Sequence, residues 1–166
     1  LLPNIINGFY PATYEGDFKD GKRSGSGILT YADGRIYKGR FSNNLPNGRG
    51  TFIYPKRFVY KGNHKNGYKH GFGEVNFENS ESYIGEFKDD QPNGFGTLSF
   101  ADGGKYQGNM KDNFLDGFGL YTYANNDTYL GEFKAGKRNG RGIYNYNAMN
   151  ENRGDLFIGE YKNNNI

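Results

Sequence analysis

The pentapeptide YEGDF at 14–18 returns as YKGRF at 37, YKGNH at 60, YIGEF at 83, YQGNM at 106 and YLGEF at 129, a step of 23 residues each time. A short fixed period constrains the chain to a quasi-one-dimensional array in which each copy of one supersecondary unit packs against its neighbours. Eleven residues after each leading tyrosine stands a G-x-G, from Gly25 and Gly27 in the first copy to Gly140 and Gly142 in the sixth. Four residues beyond the second glycine comes an aromatic: Tyr31, Tyr54, Phe77, Phe100, Tyr123 and Tyr146. A seventh unit opens as FIGEY at 157–161, five residues late, so six full repeats and one opening strand cover residues 14–161.

Within a unit, Tyr83, Gly85 and Phe87 alternate with Ile84, Glu86 and Lys88, the period-2 pattern of a strand with one sticky face. A second strand is expected from the second glycine to the aromatic, for example Gly96 to Phe100. The intervening turn has Gly21, Asn44, Gly67, Asp90, Asn113 or Gly136 as its third residue, all types that tolerate positive φ. Each unit is thus a β-hairpin, joined to the next by short turns such as Asp33-Gly34 and Asp102-Gly103. Glycine at 27 positions, with 15 tyrosines and 14 phenylalanines in a chain only 34% hydrophobic, argues against a thick two-layer interior. Aromatic rings lying over strand glycines can shield a single layer instead. The expected fold class is all-β: an elongated single-layer antiparallel β-meander of hairpin repeats.

The expected organisation is an N-terminal cap or degenerate strand at 1–13, six repeats at 14–151, and a linker end with a partial seventh repeat at 152–166. Leu1, Leu2, Ile5 and Ile6 are available to cover apolar surface at the first hairpin. FIGEY followed by KNNNI leaves an edge strand near the C-terminus, a site for pairing with another chain. The chain opens at Leu1 without a methionine and reads as a fragment or processed product.

The pattern Y-x-G-x-[FW], turn, G-x-G, aromatic resembles the MORN (membrane occupation and recognition nexus) repeat, over about nine tenths of the chain. The sequence departs from that signature at His64 and Met110, where the family has an aromatic, at Phe157 in the leading position, and in the expanded 147–156 linker. The resemblance implies the hairpin array and an association with cytoskeletal and membrane-adjacent scaffolds, sometimes beside catalytic domains such as lipid kinases and lysine methyltransferases.

Few features point to chemistry. The absence of cysteine removes disulfides, thiolate zinc sites and cysteine nucleophiles. His64 stands in the Phe slot of repeat three, a ring for a ring, and His70 reads as a turn residue before the G-x-G. The G-x-G motifs lead into no helix whose N-terminus would hold a phosphate. Acidic turns such as Asp89-Asp90 match no calcium loop. The expectation is therefore a non-enzyme with no cofactor and no metal. A net charge of +3 does not announce nucleic-acid binding. With no 18-residue apolar run and no apolar leader, the cytoplasm is favoured, with cytoskeletal or membrane association open.

Two features remain. The aromatics of both strands should line a concave groove with tyrosine hydroxyls at its rim, and Tyr60, Phe77, Tyr83, Phe100 and Tyr106, flanked by intact repeats, are the expected partner-binding residues. The hairpin tips carry Lys22-Arg23, Lys69-His70 and Lys137-Arg138 at equivalent places. Lys22, Arg23, Lys137 and Arg138 are the expected contacts to an anionic lipid. The reading is a non-catalytic scaffold that binds a protein partner or itself through the groove or the sheet ends. Its alternatives are a peripheral phosphoinositide-binding module, or an accessory array of an enzyme elsewhere in a longer chain.

Overall fold

The computed structural model describes residues 12–147 and 154–165. The expected cap at 1–11 and residues 148–153 of the expanded linker lie outside the described residues. The chain divides into two compact units, Leu1–Glu78 and Asn79–Ile166.

The first unit contains β1 (Ala12–Lys19), β2 (Lys22–Tyr31), β3 (Ile36–Ser42), β4 (Leu45–Tyr54), β5 (Phe58–Lys65) and β6 (Tyr68–Phe77). They pair antiparallel in chain order. The second unit contains β7 (Ser82–Lys88), β8 (Gln91–Ser99), β9 (Lys105–Lys111), β10 (Phe114–Thr122), β11 (Thr128–Lys134), β12 (Lys137–Asn145) and β13 (Leu156–Tyr161), again paired in chain order. Among the described residues there is no helix. Each unit is a single-layer meander of hairpins, the fold class read from the sequence.

Every hairpin closes through a two-residue loop. Lys88 pairs with Gln91 across Asp89 and Asp90, whose φ values of 48° and 72° are both left-handed, as a type I′ turn requires. The same geometry holds at Asn43-Asn44 and at Asp112-Asn113. Asn and Asp reach this region at lower cost than other non-glycine residues.

The second strand of each hairpin is longer than the sequence pattern predicts. It begins at the tip and runs through the whole G-x-G, as in Gln91–Ser99 where only Gly96 to Phe100 was expected. Pro92 and Gly94 imitate loop chemistry, but Gly94 is the left-handed residue (φ 105°) of a bulge that shifts the register between Gly85 and Phe87. For the same reason His70, expected in a turn, lies inside β6.

Successive tips are tied together. The amide of Asn44 donates to the carbonyl of Arg23 at 3.0 Å, that of Gly67 to Pro46 at 2.9 Å, that of Asn113 to Pro92 at 3.1 Å and that of Gly136 to Leu115 at 2.9 Å. Asn44 Oδ1 also accepts from the Arg23 amide at 2.8 Å. Turn residues therefore both make one hairpin and fix it to the last.

Candidate partner-binding face

Strand alternation puts the leading tyrosines, both strand glycines and the aromatics on one face of each sheet. Directly opposite Gly85 stands Gly96, and the ring of Tyr83 lies across that glycine pair. A Cβ on Gly96 would come within 2.5 Å of Tyr83 Cζ. Tyr37 has the same relation to Gly50, Tyr60 to Gly73, Tyr106 to Gly119 and Tyr129 to Gly142. Each hydroxyl then donates to the backbone carbonyl three residues on: Tyr37 to Arg40 at 3.0 Å, Tyr60 to Asn63 at 2.8 Å, Tyr83 to Glu86 at 3.0 Å and Tyr106 to Asn109 at 2.8 Å.

These rings are the core. Tyr37, Tyr60, Tyr83, Tyr106 and Tyr129 are almost wholly inaccessible. Burial pushes the phenols of Tyr37, Tyr83 and Tyr106 up to about 12, as an uncharged hydroxyl is favoured away from water. Beside them sits the Phe slot, filled by Phe41, His64, Phe87, Met110, Phe133 and Tyr161, all buried. His64 meets Tyr37 and Tyr60 edge-on at 4.9 and 5.1 Å, so the ring-for-ring reading holds in its geometry.

Tyr60, Tyr83 and Tyr106, expected to present rings to a partner, are thus closed off, and their hydroxyls are committed to backbone in place of a rim. The physical reason is the paired glycines, which sink each ring against backbone. Phe77 is 40% exposed and Phe100 is half-buried.

The accessible rings of this face are those farther along the second strand. In the second unit Phe100 stacks on Tyr121 at 5.3 Å, Tyr121 touches Tyr123 at 4.5 Å, Tyr123 meets Tyr144 at 5.6 Å, and Tyr144 meets Tyr146 at 4.7 Å. All five are half-buried. In the first unit Phe58 joins Phe52 at 6.0 Å, Tyr54 at 5.7 Å and Phe77 at 6.1 Å. Tyr121, Tyr144, Phe52 and Phe58 are absent from the sequence-based set. The first three stand two residues after the second glycine, where period-2 alternation alone puts them on this face.

One end of the second-unit ladder is held by a buried carboxylate. Asp127 Oδ2 accepts from the Tyr144 hydroxyl at 3.0 Å and from Asn125 Nδ2 at 2.9 Å, and its Oδ1 accepts from the Asn147 amide at 2.7 Å. Burial first, and then this bond to Asp127, raises the Tyr144 phenol well above its ordinary value.

The basic tips divide in two. Arg23 lies 5.8 Å from the ring centres of both Tyr14 and Phe41. Arg138 covers Tyr129, Tyr144 and Tyr161 at 5.6, 5.4 and 5.1 Å and donates to the Asn164 carbonyl at 3.0 Å. Lys69 takes the same post over Phe58 and Tyr60. These cations pack on aromatic faces. Lys22 and Lys137 are exposed, directly opposite Lys19 and Lys134 on the paired strands.

A short segment resembles alsin from Rattus norvegicus, Mus musculus and Homo sapiens, with 41% identity over 46 residues, which is 28% of this chain. The match spans only 3% of the length of those curated relatives. Among solved structures, the TCP domain of SAS-4 (dCPAP) in complex with a proline-rich motif of Ana2 (dSTIL) from Drosophila melanogaster aligns over 82% of this chain and 84% of that one. Its TM-score is 0.44 at 16% identity. The MORN repeat family model matches residues 14–34, 37–57, 60–80, 83–105, 106–128 and 129–147. Those six matches begin on the six tyrosines that cross a glycine pair, and the chain belongs to the MORN repeat family.

Proposed function

We propose that this chain is a non-catalytic protein-interaction scaffold that holds a protein partner on the half-exposed aromatic ladder of the tyrosine face. The observation that carries the reading is the run Phe100, Tyr121, Tyr123, Tyr144 and Tyr146, rings in contact with one another yet open to solvent on one side. Linked aromatics with polar hydroxyls are the composition of interface hot spots. Membership of a repeat family that builds binding modules supports it. Phe77 is a comparably exposed ring of the first unit, where Tyr60 is buried, and in the second unit Tyr83 and Tyr106 are the buried foundation of the ladder. The test is capture of partners from the source cell by the wild-type chain and by folded Phe100→Ala, Tyr123→Ala and Phe77→Ala variants. Loss of the same partner from those variants supports the reading, and full retention by all three overturns it.

A second reading, attachment to anionic lipid, draws on the exposed Lys22 and Lys137 and their cross-strand lysine neighbours. Co-sedimentation with vesicles rich in phosphatidylserine, weakened by salt, is its test.

A further inference from the structure

In three of the six hairpins a carboxylate closes the bulge. Three residues after each leading tyrosine, on the face turned away from the rings, stands Asp17, Arg40, Asn63, Glu86, Asn109 or Glu132. Where this residue is an acid, its carboxylate accepts from the amide between the two glycines: Asp17 from Ser26 at 2.9 Å, Glu86 from Phe95 at 3.3 Å and Glu132 from Arg141 at 3.0 Å. In repeat five Asn109 donates to the Phe118 carbonyl at 3.4 Å. The bulge is thus a backbone cradle whose natural filling is a carboxylate.

Repeat two has the same backbone and the opposite charge. Gly48 is left-handed (φ 93°) like Gly94 (φ 105°), and the register skips between Gly39 and Phe41 as it does between Gly85 and Phe87. A Cβ on Gly48 would lie 3.4 Å from Arg40 Cβ, so Arg40 flanks this bulge where Glu86 flanks the one at Gly94. The residue between the two glycines is Arg49, and Lys38, Arg40 and Arg49 are all exposed. Among the described residues no side chain accepts from the Arg49 amide, and neither arginine is ion-paired. The acids on the strands of this face in the first unit are Glu15, Asp17 and Glu74. Asp17 is taken by the Ser26 amide, and Glu74 stands opposite Lys61 and accepts from Asn76 Nδ2 at 2.6 Å. Glu15 is two strands from Lys38, across Ile28. In sequence, residues 34–73 hold nine Lys and Arg and no Asp or Glu.

We propose that the bulge of repeat two is a recognition site for an acidic protein segment. An Asp or Glu side chain of the partner occupies, in trans, the place that Asp17, Glu86 and Glu132 fill from their own strands. It accepts from the Arg49 amide and pairs with the guanidinium groups of Arg40 and Arg49, whose planar forks suit a carboxylate. Lys38 stands two residues before Arg40 on β3, roughly 7 Å along the strand, which is also the distance between alternate side chains of an extended peptide. The segment that fits therefore carries acids at alternate positions, Glu-x-Glu. The site lies on the face opposite the aromatic ladder and does not rest on the ladder's role.

Fluorescence anisotropy with a labelled ten-residue peptide alternating Glu and Thr tests it, read beside the Arg49 amide resonance. The wild-type chain should bind the peptide at low ionic strength, release it as salt is raised, and ignore the same peptide with Gln for Glu. Peptide should move the Arg49 amide resonance. Arg40→Glu rebuilds the intrachain arrangement of repeats four and six, so it should move that resonance in the same direction without peptide and weaken binding tenfold or more. Arg40→Gln, which supplies no carboxylate, should leave the resonance in place and weaken binding severalfold. Lys111→Glu in the second unit makes the same change of net charge and should bind as the wild type does. These side chains are exposed, and circular dichroism checks the fold. A wild-type chain that does not bind the peptide at low salt overturns the proposal. So does equal weakening by Arg40→Glu and Lys111→Glu, an Arg49 amide that peptide does not move, or a site that takes inorganic phosphate or phosphatidylserine vesicles in preference to the peptide.

Discussion

The ring of Tyr83 occupies the space that a side chain on Gly96 would need: a Cβ built there lies 2.5 Å from Tyr83 Cζ and Cε2. Gly96 has no left-handed backbone, so the exclusion is steric. Gly96→Ala should therefore destabilise by about 1–3 kcal/mol or more through overpacking. Tyr83→Ala should cost about 3–5 kcal/mol. In the Tyr83→Ala background Gly96→Ala should become nearly free, a coupling on the order of 1–3 kcal/mol. Urea melts of the four chains measure the cycle, and additive costs would refute the ring-over-glycine account.

Half-buried rings should behave differently from the foundation tyrosines. Phe100→Ala and Phe77→Ala should each cost about 1–2 kcal/mol, in keeping with partial burial. Denaturation midpoints would expose an error in this division if Phe100→Ala proved as costly as Tyr83→Ala.

Alkaline pH should unfold the chain. The raised phenols of Tyr37, Tyr83 and Tyr106 bind their protons more tightly folded, near 12, than unfolded, near 10. Between those values the native state holds more protons, so stability is complete below about pH 10 and falls by about 1.4 kcal/mol per pH unit for each such tyrosine up to about 12. Tyrosinate absorbance should show an early exposed class, then a late class that titrates together with loss of the strand signal in circular dichroism. A single unperturbed titration of all the tyrosines would contradict it.

Asp127 ties Tyr144, Asn125 and Asn147 together at the end of β12. Asp127→Ala should leave buried donors unsatisfied at a cost of about 2–4 kcal/mol. Hydrogen exchange should quicken at the Asn147 amide first, with the first unit unaffected.

Arg138 and Lys137 are neighbours with opposite expectations. Arg138→Gln should cost about 1 kcal/mol from its place over three rings. Lys137→Gln, fully on the surface, should leave the midpoint unmoved. If vesicles bind the chain, Lys22→Gln and Lys137→Gln should weaken that binding more than the arginine changes do.

Much of the fold is legible because period-2 alternation and the 23-residue step are one-dimensional signals. Tyr83, Gly85 and Phe87 can be assigned to one face from spacing alone, and the structure buries all three. What spacing does not carry is depth. Tyr83 and Phe100 are both aromatics on the same face, yet only Tyr83 has glycines on both paired strands to sink into. The site expectation therefore mixed foundation with surface. Nor does the sequence signal tell a glycine at a bulge from one in a loop, and so Pro92 and Gly94 hid the first half of β8.

Within each unit every ladder joins a strand to the one just before or after it in the chain. An all-β protein normally folds slowly because distant segments must find each other before any contact offsets the entropy of loop closure. Here the longest connection a ladder has to close is the ten residues between β12 and β13. A hairpin can form as soon as its 20-odd residues are available, and the next can template on it, so such a sheet can assemble progressively as the polypeptide leaves the ribosome, without waiting for its far end.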